Sequence, residues 1–123
     1  MPVVASNCTI VTAPAGTSIN GGAYVVPESL GSKEIHPYSD FLLHDVGTGD
    51  GIVQNGPPDT QYKLRTPPLW GLRARSRFMH DLQSLTVAQA VRRHSGEAAG
   101  VISNVGALRA FELEQLLAFL NSL

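Results

Sequence analysis

The sequence of 123 residues holds one cysteine, one tryptophan and two methionines, and only 15% of it is charged. A single thiol, Cys8, excludes an internal disulfide and any cysteine-based metal cluster within one chain. No run approaches the roughly 18 apolar residues that a spanning helix needs. Met1 is followed by Pro2 and Val3 rather than by a basic segment and a hydrophobic stretch, so neither a membrane span nor a signal peptide is expected. No Gly-x-Ser-x-Gly elbow offers a hydrolase nucleophile. Gly47-Thr48-Gly49-Asp50-Gly51 lacks both the Gly-Lys-Ser/Thr ending of a phosphate loop and the closing glutamate of a calcium loop, and reads as a tight turn.

What is present is 43% apolar residues, ordinary for a globular chain, and a length that fits one domain over residues 1–123. All eight prolines and most of the twelve glycines precede or include Gly71, so much of the first half is turn and loop. Thr17-Ser18-Ile19 and Ala23-Tyr24-Val25-Val26 flank Asn20-Gly21, the pair preferred in a two-residue type I′ turn, and predict a β-hairpin ended by Pro27. Between Gly31 and Pro68 the pattern predicts a long wrapping loop with one short helical or turn segment around Ser39 to His44. Loops of this length usually cover a ligand or a site.

The helices come late. Thr86-Val87-Ala88-Gln89 has the form of a capping box and opens a helix over about 87–94, closed by Ser95-Gly96. A second helix, about 110–121, carries Leu113, Leu116, Leu117 and Leu120 on one face and should dock on the core. Charge is uneven. Lys33 stands alone against six acids in residues 1–60, whereas residues 61–123 carry eight basic groups against four acids. Arg73, Arg75, Arg77, Arg92 and Arg93 would meet carboxylates or phosphates, or simply form a solvated face.

Four imidazoles carry the candidate chemistry. Val87, Ala90, Val91 and His94 share one helix face, so His94 points inward, either as a core histidine satisfied by a neighbour or as a ligand. His80-Asp81 and His44-Asp45 are adjacent pairs, and His36 precedes Pro37. Their number would serve a divalent metal, but no His-x-x-x-His spacing supports one.

Three blocks in register carry a resemblance. They are Ile35-His36-Pro37-Tyr38-Ser39-Asp40-Phe41-Leu42-Leu43-His44-Asp45-Val46-Gly47, Leu64-Arg65-Thr66-Pro67-Pro68-Leu69-Trp70-Gly71-Leu72 and Phe78-Met79-His80-Asp81, continued by His94-Ser95-Gly96-Glu97-Ala98 and the terminal helix. Over roughly residues 9–123 the chain resembles the C-terminal haem domain of di-haem c-type cytochrome peroxidases and related thiol-oxidoreductase-like proteins. The resemblance implies a mainly α, cytochrome c-like domain with long loops and a short N-terminal β-hairpin. It implies haem as cofactor, His94 as the second axial ligand to its iron, Arg65 and Trp70 near the propionates and ring edge, and His80 and Asp81 in a catalytic loop against the macrocycle. The relatives are exported, which implies a periplasmic or extracellular setting.

The departures are specific. The Cys-x-x-Cys-His attachment motif falls, in that family, where this chain reads Val3-Val4-Ala5-Ser6, so the domain is expected to be truncated and unable to attach haem covalently by itself. Leu82 stands where glycine is usual and Arg109 where a serine cap is usual. Two functions follow as expectations. One is a redox module for electron transfer or peroxide chemistry. The other is a haem-free oligomer binding a divalent metal through His and Asp residues for promiscuous ester or phosphoester hydrolysis. Partners are expected to be a second copy or a chain supplying the missing haem segment, with neither nucleic acid nor membrane.

Overall fold

In the computed structural model of the chain, the described residues are 9–53 and 56–123. Cys8 and the positions of the absent attachment motif lie outside them. Where length alone suggests one domain, the chain divides into two compact units, Met1–Asp40 and Phe41–Leu123. Among the described residues there are three antiparallel pairs of very short strands, five 3-10 turns and three α-helices, all three helices beyond residue 86. The expected mainly α fold is thus corrected to a small mixed one. The proline- and glycine-rich half offers few stretches able to sustain a helix, and its backbone bonds go into strand pairs and single turns instead.

In the first unit, β1 (Ile10–Val11) pairs antiparallel with β4 (Glu34–Ile35), Ile10 opposite Ile35. The pairing is extended by the Thr12 amide donating to the Lys33 carbonyl at 2.9 Å. Within the loop so closed lies the expected hairpin, β2 (Ser18–Ile19) against β3 (Tyr24–Val25). Asn20 and Gly21 both take positive φ, 50° and 64°, as the sequence demands. The connection is nonetheless four residues long, because Ile19 pairs with Tyr24 and Gly22, at φ 93°, extends the turn.

The predicted helical or turn segment around Ser39 to His44 is not helical: irregular backbone leads into β5 (Leu43–His44), which in the second unit pairs antiparallel with β6 (Leu64–Arg65). Phe41 at φ 57° breaks any helix there. This strand pair closes the long loop at its base. Downstream, Phe78 and Ser84 exchange backbone hydrogen bonds around a turn in which Met79 (φ 67°) and Leu82 (φ 57°) are both left-handed. The backbone therefore does require positive φ at position 82, and leucine occupies it at a steric cost of about 1–2 kcal/mol.

Helix α1 (Val87–Arg93) is capped as the sequence foretells on one side only. The Gln89 amide donates to Thr86 Oγ1 at 3.1 Å, but the Gln89 side chain reaches one residue further back, accepting from the Leu85 amide at 2.8 Å. Helix α2 (Ala99–Gly106) is an element the sequence does not signal, having two glycines, three β-branched residues and no side-chain cap. Helix α3 (Ala110–Leu120) packs against α1. Its start is firm despite Arg109. Glu112 accepts from both the Arg109 amide (2.9 Å) and its guanidinium (2.7 Å), and that guanidinium lies 4.5 Å over the Phe111 ring.

Leu113 and Leu117 do turn toward the other helices, lining a cleft of about 310 Å³ with residues of α1 and α2, while Leu120 faces a larger cavity. Of the aliphatic side chains in the helices and strands, only Val87 (8% exposed) and Ala90 (9%) are buried. The second unit is built around a space rather than around a filled core.

Candidate functional site

That space is a cavity of about 630 Å³, within the roughly 300–1,000 Å³ of small-molecule sites. One wall is the inward face of α1, Val87, Ala90, Val91 and His94, spaced as an amphipathic helix spaces them. A second wall is the extended run Leu64–Leu69, which β6 anchors and which Pro67 and Pro68 keep out of helix. The third is the turn Phe78–Met79–His80 with Leu82 and the preceding Leu72, Arg75 and Arg77, and Val46, Thr48 and Leu120 complete the lining.

His94 sits just past the last turn of α1, at φ −66°, ψ 133°. Its half-buried Nδ1 lies 2.8 Å from the Ala90 carbonyl oxygen, and a carbonyl only accepts, so the proton is on Nδ1. Nε2 then carries the lone pair. A ring held in one tautomer by a backbone carbonyl is how proteins prepare an imidazole to ligate a metal. The chain beyond it is pinned as well. The Ser95 amide donates to the Val46 carbonyl at 3.0 Å and the Glu97 amide to the Asp45 carbonyl at 2.9 Å. Gly96, at φ +58°, passes so close that a Cβ would lie 2.5 Å from the Asp45 carbonyl oxygen.

His80 lines the same cavity, with Nε2 2.9 Å from Asp50 Oδ2. Its neighbour in sequence does something else. Asp81 turns away from the cavity and accepts both guanidinium nitrogens of Arg93, the NH1 bond at 2.9 Å, and also the Gln83 amide at 3.1 Å. Arg93 reaches on to Ser84 Oγ at 3.0 Å, and Ser84 is 1% exposed. The Arg93 guanidinium and then the Gln83 amide hold the Asp81 carboxyl down at about 2. Asp81 is therefore a clamp that fastens the 78–84 turn to α1, not a group presented to the cavity.

Of the other candidates, Arg65 lines the cavity, whereas Trp70 is 49% exposed and does not. The arginine cluster divides by task. Arg75 and Arg77 line the cavity beside Arg65, Arg93 holds Asp81, and Arg92 lines the smaller cleft. Arg65 and Arg75 have no ion pair among the described residues. Sequence reasoning missed Asp50 as the partner of His80, and missed Thr48, whose buried Oγ1 has no hydrogen-bond partner. Nothing in a local window marks either, since both depend on a loop being folded back across the cavity.

The remaining imidazoles are elsewhere. His44 Nδ1 lies 2.9 Å from Glu97 Oε2, and the His44 ring followed by the Asp45 amide draws the Glu97 carboxyl below its usual value. His36 meets Thr9 Oγ1 at 3.1 Å in the first unit. Each histidine has its own partner. Among the described residues no three His, Cys, Asp or Glu side chains converge, so the divalent-metal alternative lacks a donor set. No helix among them is long and apolar enough to cross a membrane.

The cavity combines apolar walls, one tautomer-fixed imidazole, three guanidinium groups and an orphaned hydroxyl. These residues fit one face of a haem. Neither the curated proteins nor the solved structures give a match to this chain. Residues 3–123 match the family described as "Di-haem oxidoreductase, putative peroxidase", and the chain belongs to that family of di-haem oxidoreductases.

Proposed function

We propose that the second unit is a redox module that would hold haem in this cavity, between α1 and the 64–69 run, with His94 Nε2 as the nitrogen offered to its iron. The single observation that carries the reading is the His94 ring itself. It lines the cavity, and its other nitrogen is committed to the Ala90 carbonyl. Arg65, Arg75 and Arg77 are the counterions for the propionates, and the Val87, Ala90 and Val91 face is the dry surface against the macrocycle. Bound there, haem supplies one-electron chemistry, spent on electron transfer or on peroxide.

What the chain's own residues do is hold, orient and exclude water. The Asp81–Arg93 clamp keeps the 78–84 turn against α1, and the Ser95–Val46 and Glu97–Asp45 bonds fix the exit of His94. His80 also lines the cavity, but a carboxylate from a distant loop holds its Nε2, whereas the carbonyl of its own helix holds His94. A further ligand and the covalent attachment would come from a partner, either another copy or a chain carrying the attachment segment.

The test is titration of haem into the purified chain. A ligated Soret band developing with 1:1 stoichiometry, and lost or shifted in His94→Ala, is the expected result. Identical spectra for the two proteins would sink His94 as the ligand, and no ligated band in either would sink the haem reading.

A further inference from the structure

An electron entering an apolar cavity leaves an uncompensated charge unless a nearby group changes its own. The titratable and charged side chains that line this cavity are Arg65, Arg75, Arg77, His80 and His94. The guanidinium groups stay protonated throughout the accessible range. His94 is committed to the Ala90 carbonyl and, on the reading above, to iron. That leaves His80 as the one lining imidazole not committed to iron.

Its setting fits that task. Asp50 is fixed independently, since its Oδ1 accepts the Ile52 amide at 2.9 Å while Oδ2 faces His80 Nε2 at 2.9 Å. The Ile52 amide first, and the His80 ring after it, draw the Asp50 carboxyl below its usual range, so it is an acceptor at neutral pH. Nε2 must then be the donor, and the lone pair lies on Nδ1. The His80 side chain is 39% exposed, so the ring touches both solvent and cavity.

We propose that His80, oriented by Asp50, takes up a proton from solvent when haem held in the cavity gains an electron, and returns it when the electron leaves. The inference rests on the haem reading. One electron arrives from a one-electron donor and one proton arrives from water. A single N–H bond forms at Nδ1, and the resulting imidazolium is paired with the Asp50 carboxylate. Oxidation reverses each step. Asp50 is a positioning residue, holding the tautomer and stabilising the charged ring.

The experiment is redox titration of the haem-loaded full chain across pH 5 to 9, on wild type, Asp50→Asn, His80→Gln and, as a control imidazole off the cavity, His44→Gln. Each pH unit is a tenfold change in proton activity, so one proton per electron shifts the midpoint by up to about 59 mV per unit. A sloping region in wild type and His44→Gln that flattens in His80→Gln and moves in Asp50→Asn is the expected result. A slope unchanged in both cavity variants, or absent from wild type, overturns the inference while leaving haem binding standing. Failure to load haem overturns both. A second readout needs no haem. Long-range 15N correlation spectra of the unloaded chain should show His80 protonated on Nε2 in wild type and mixed in Asp50→Asn, and an Nδ1-protonated wild-type ring would refute the arrangement.

Discussion

The two walls of the cavity that carry histidines are made in opposite ways. The α1 wall is regular: four residues at helical spacing, a threonine cap, and an imidazole fixed by its own helix's carbonyl. The opposing wall is irregular: a turn with two left-handed non-glycine residues, held down by a salt bridge and joined to a distant loop through His80 and Asp50. A helix aims a side chain through local bonds alone. A turn needs partners from elsewhere, and the adjacent aspartate, Asp81, is consumed in supplying one.

The contrast can be broken most forcefully at His94. Its replacement by alanine should weaken haem binding on the order of 100-fold or more, since losing even a residue that supports a ligand costs roughly 10–100-fold. Spectral titration of both proteins measures this. On the irregular wall, Asp81→Asn should lower the melting temperature by several degrees, because Arg93 and the Gln83 amide lose their shared charged acceptor. Calorimetry of the unloaded chain decides it, and an unchanged melting temperature would remove the clamp.

The same clamp sets an acid dependence. Asp81 is held at about 2 in the folded chain against 3.8 ordinarily. A depressed carboxyl binds its proton more readily when unfolded. Its stabilisation is therefore complete above the ordinary value and drains away as pH falls from about 4 toward 2. Denaturant midpoints followed from pH 6 to pH 2 should fall across that window, less steeply in Asp81→Asn.

Smaller effects sharpen the comparison. Thr86→Ala removes the cap of α1 and should cost about 1 kcal/mol in urea unfolding. Leu82→Gly should act in the other direction. It relieves the left-handed strain while adding backbone freedom to the unfolded chain, for a net gain of about 0.5 kcal/mol. If both substitutions destabilise equally, the two walls do not differ in the way argued here.

How much of this was legible follows the same division. The α1 face, its threonine cap and the hairpin around Asn20 were readable because each depends on residues within one or two turns of the chain, whereas α1 ends at an extended His94 and Gly96 opens the next turn. Helix α2 was not, because Val101, Ile102, Val105 and two glycines carry poor intrinsic helicity and the packing beside α1 and α3 overrides it. The strand at Leu43–His44 escaped notice since its partner lies about twenty residues on. For the site, the resemblance named His94, His80 and Arg65, and all three side chains line the cavity. It also attached Asp81 to His80 by adjacency and set Trp70 near the cavity, whereas the side chains sort by reach: Arg93 reaches from the end of α1 to Asp81 twelve residues earlier, and Asp50 is folded back to His80.

The tight crossing at Gly96 has a consequence for how substitutions will be tolerated. With the Asp45 carbonyl oxygen 2.5 Å from where a methyl would stand, even alanine has nowhere to go unless two chain segments separate. Saturation mutagenesis should therefore show position 96 intolerant of every residue but glycine. Its damage would surface not at that spot but as a displaced imidazole two residues upstream.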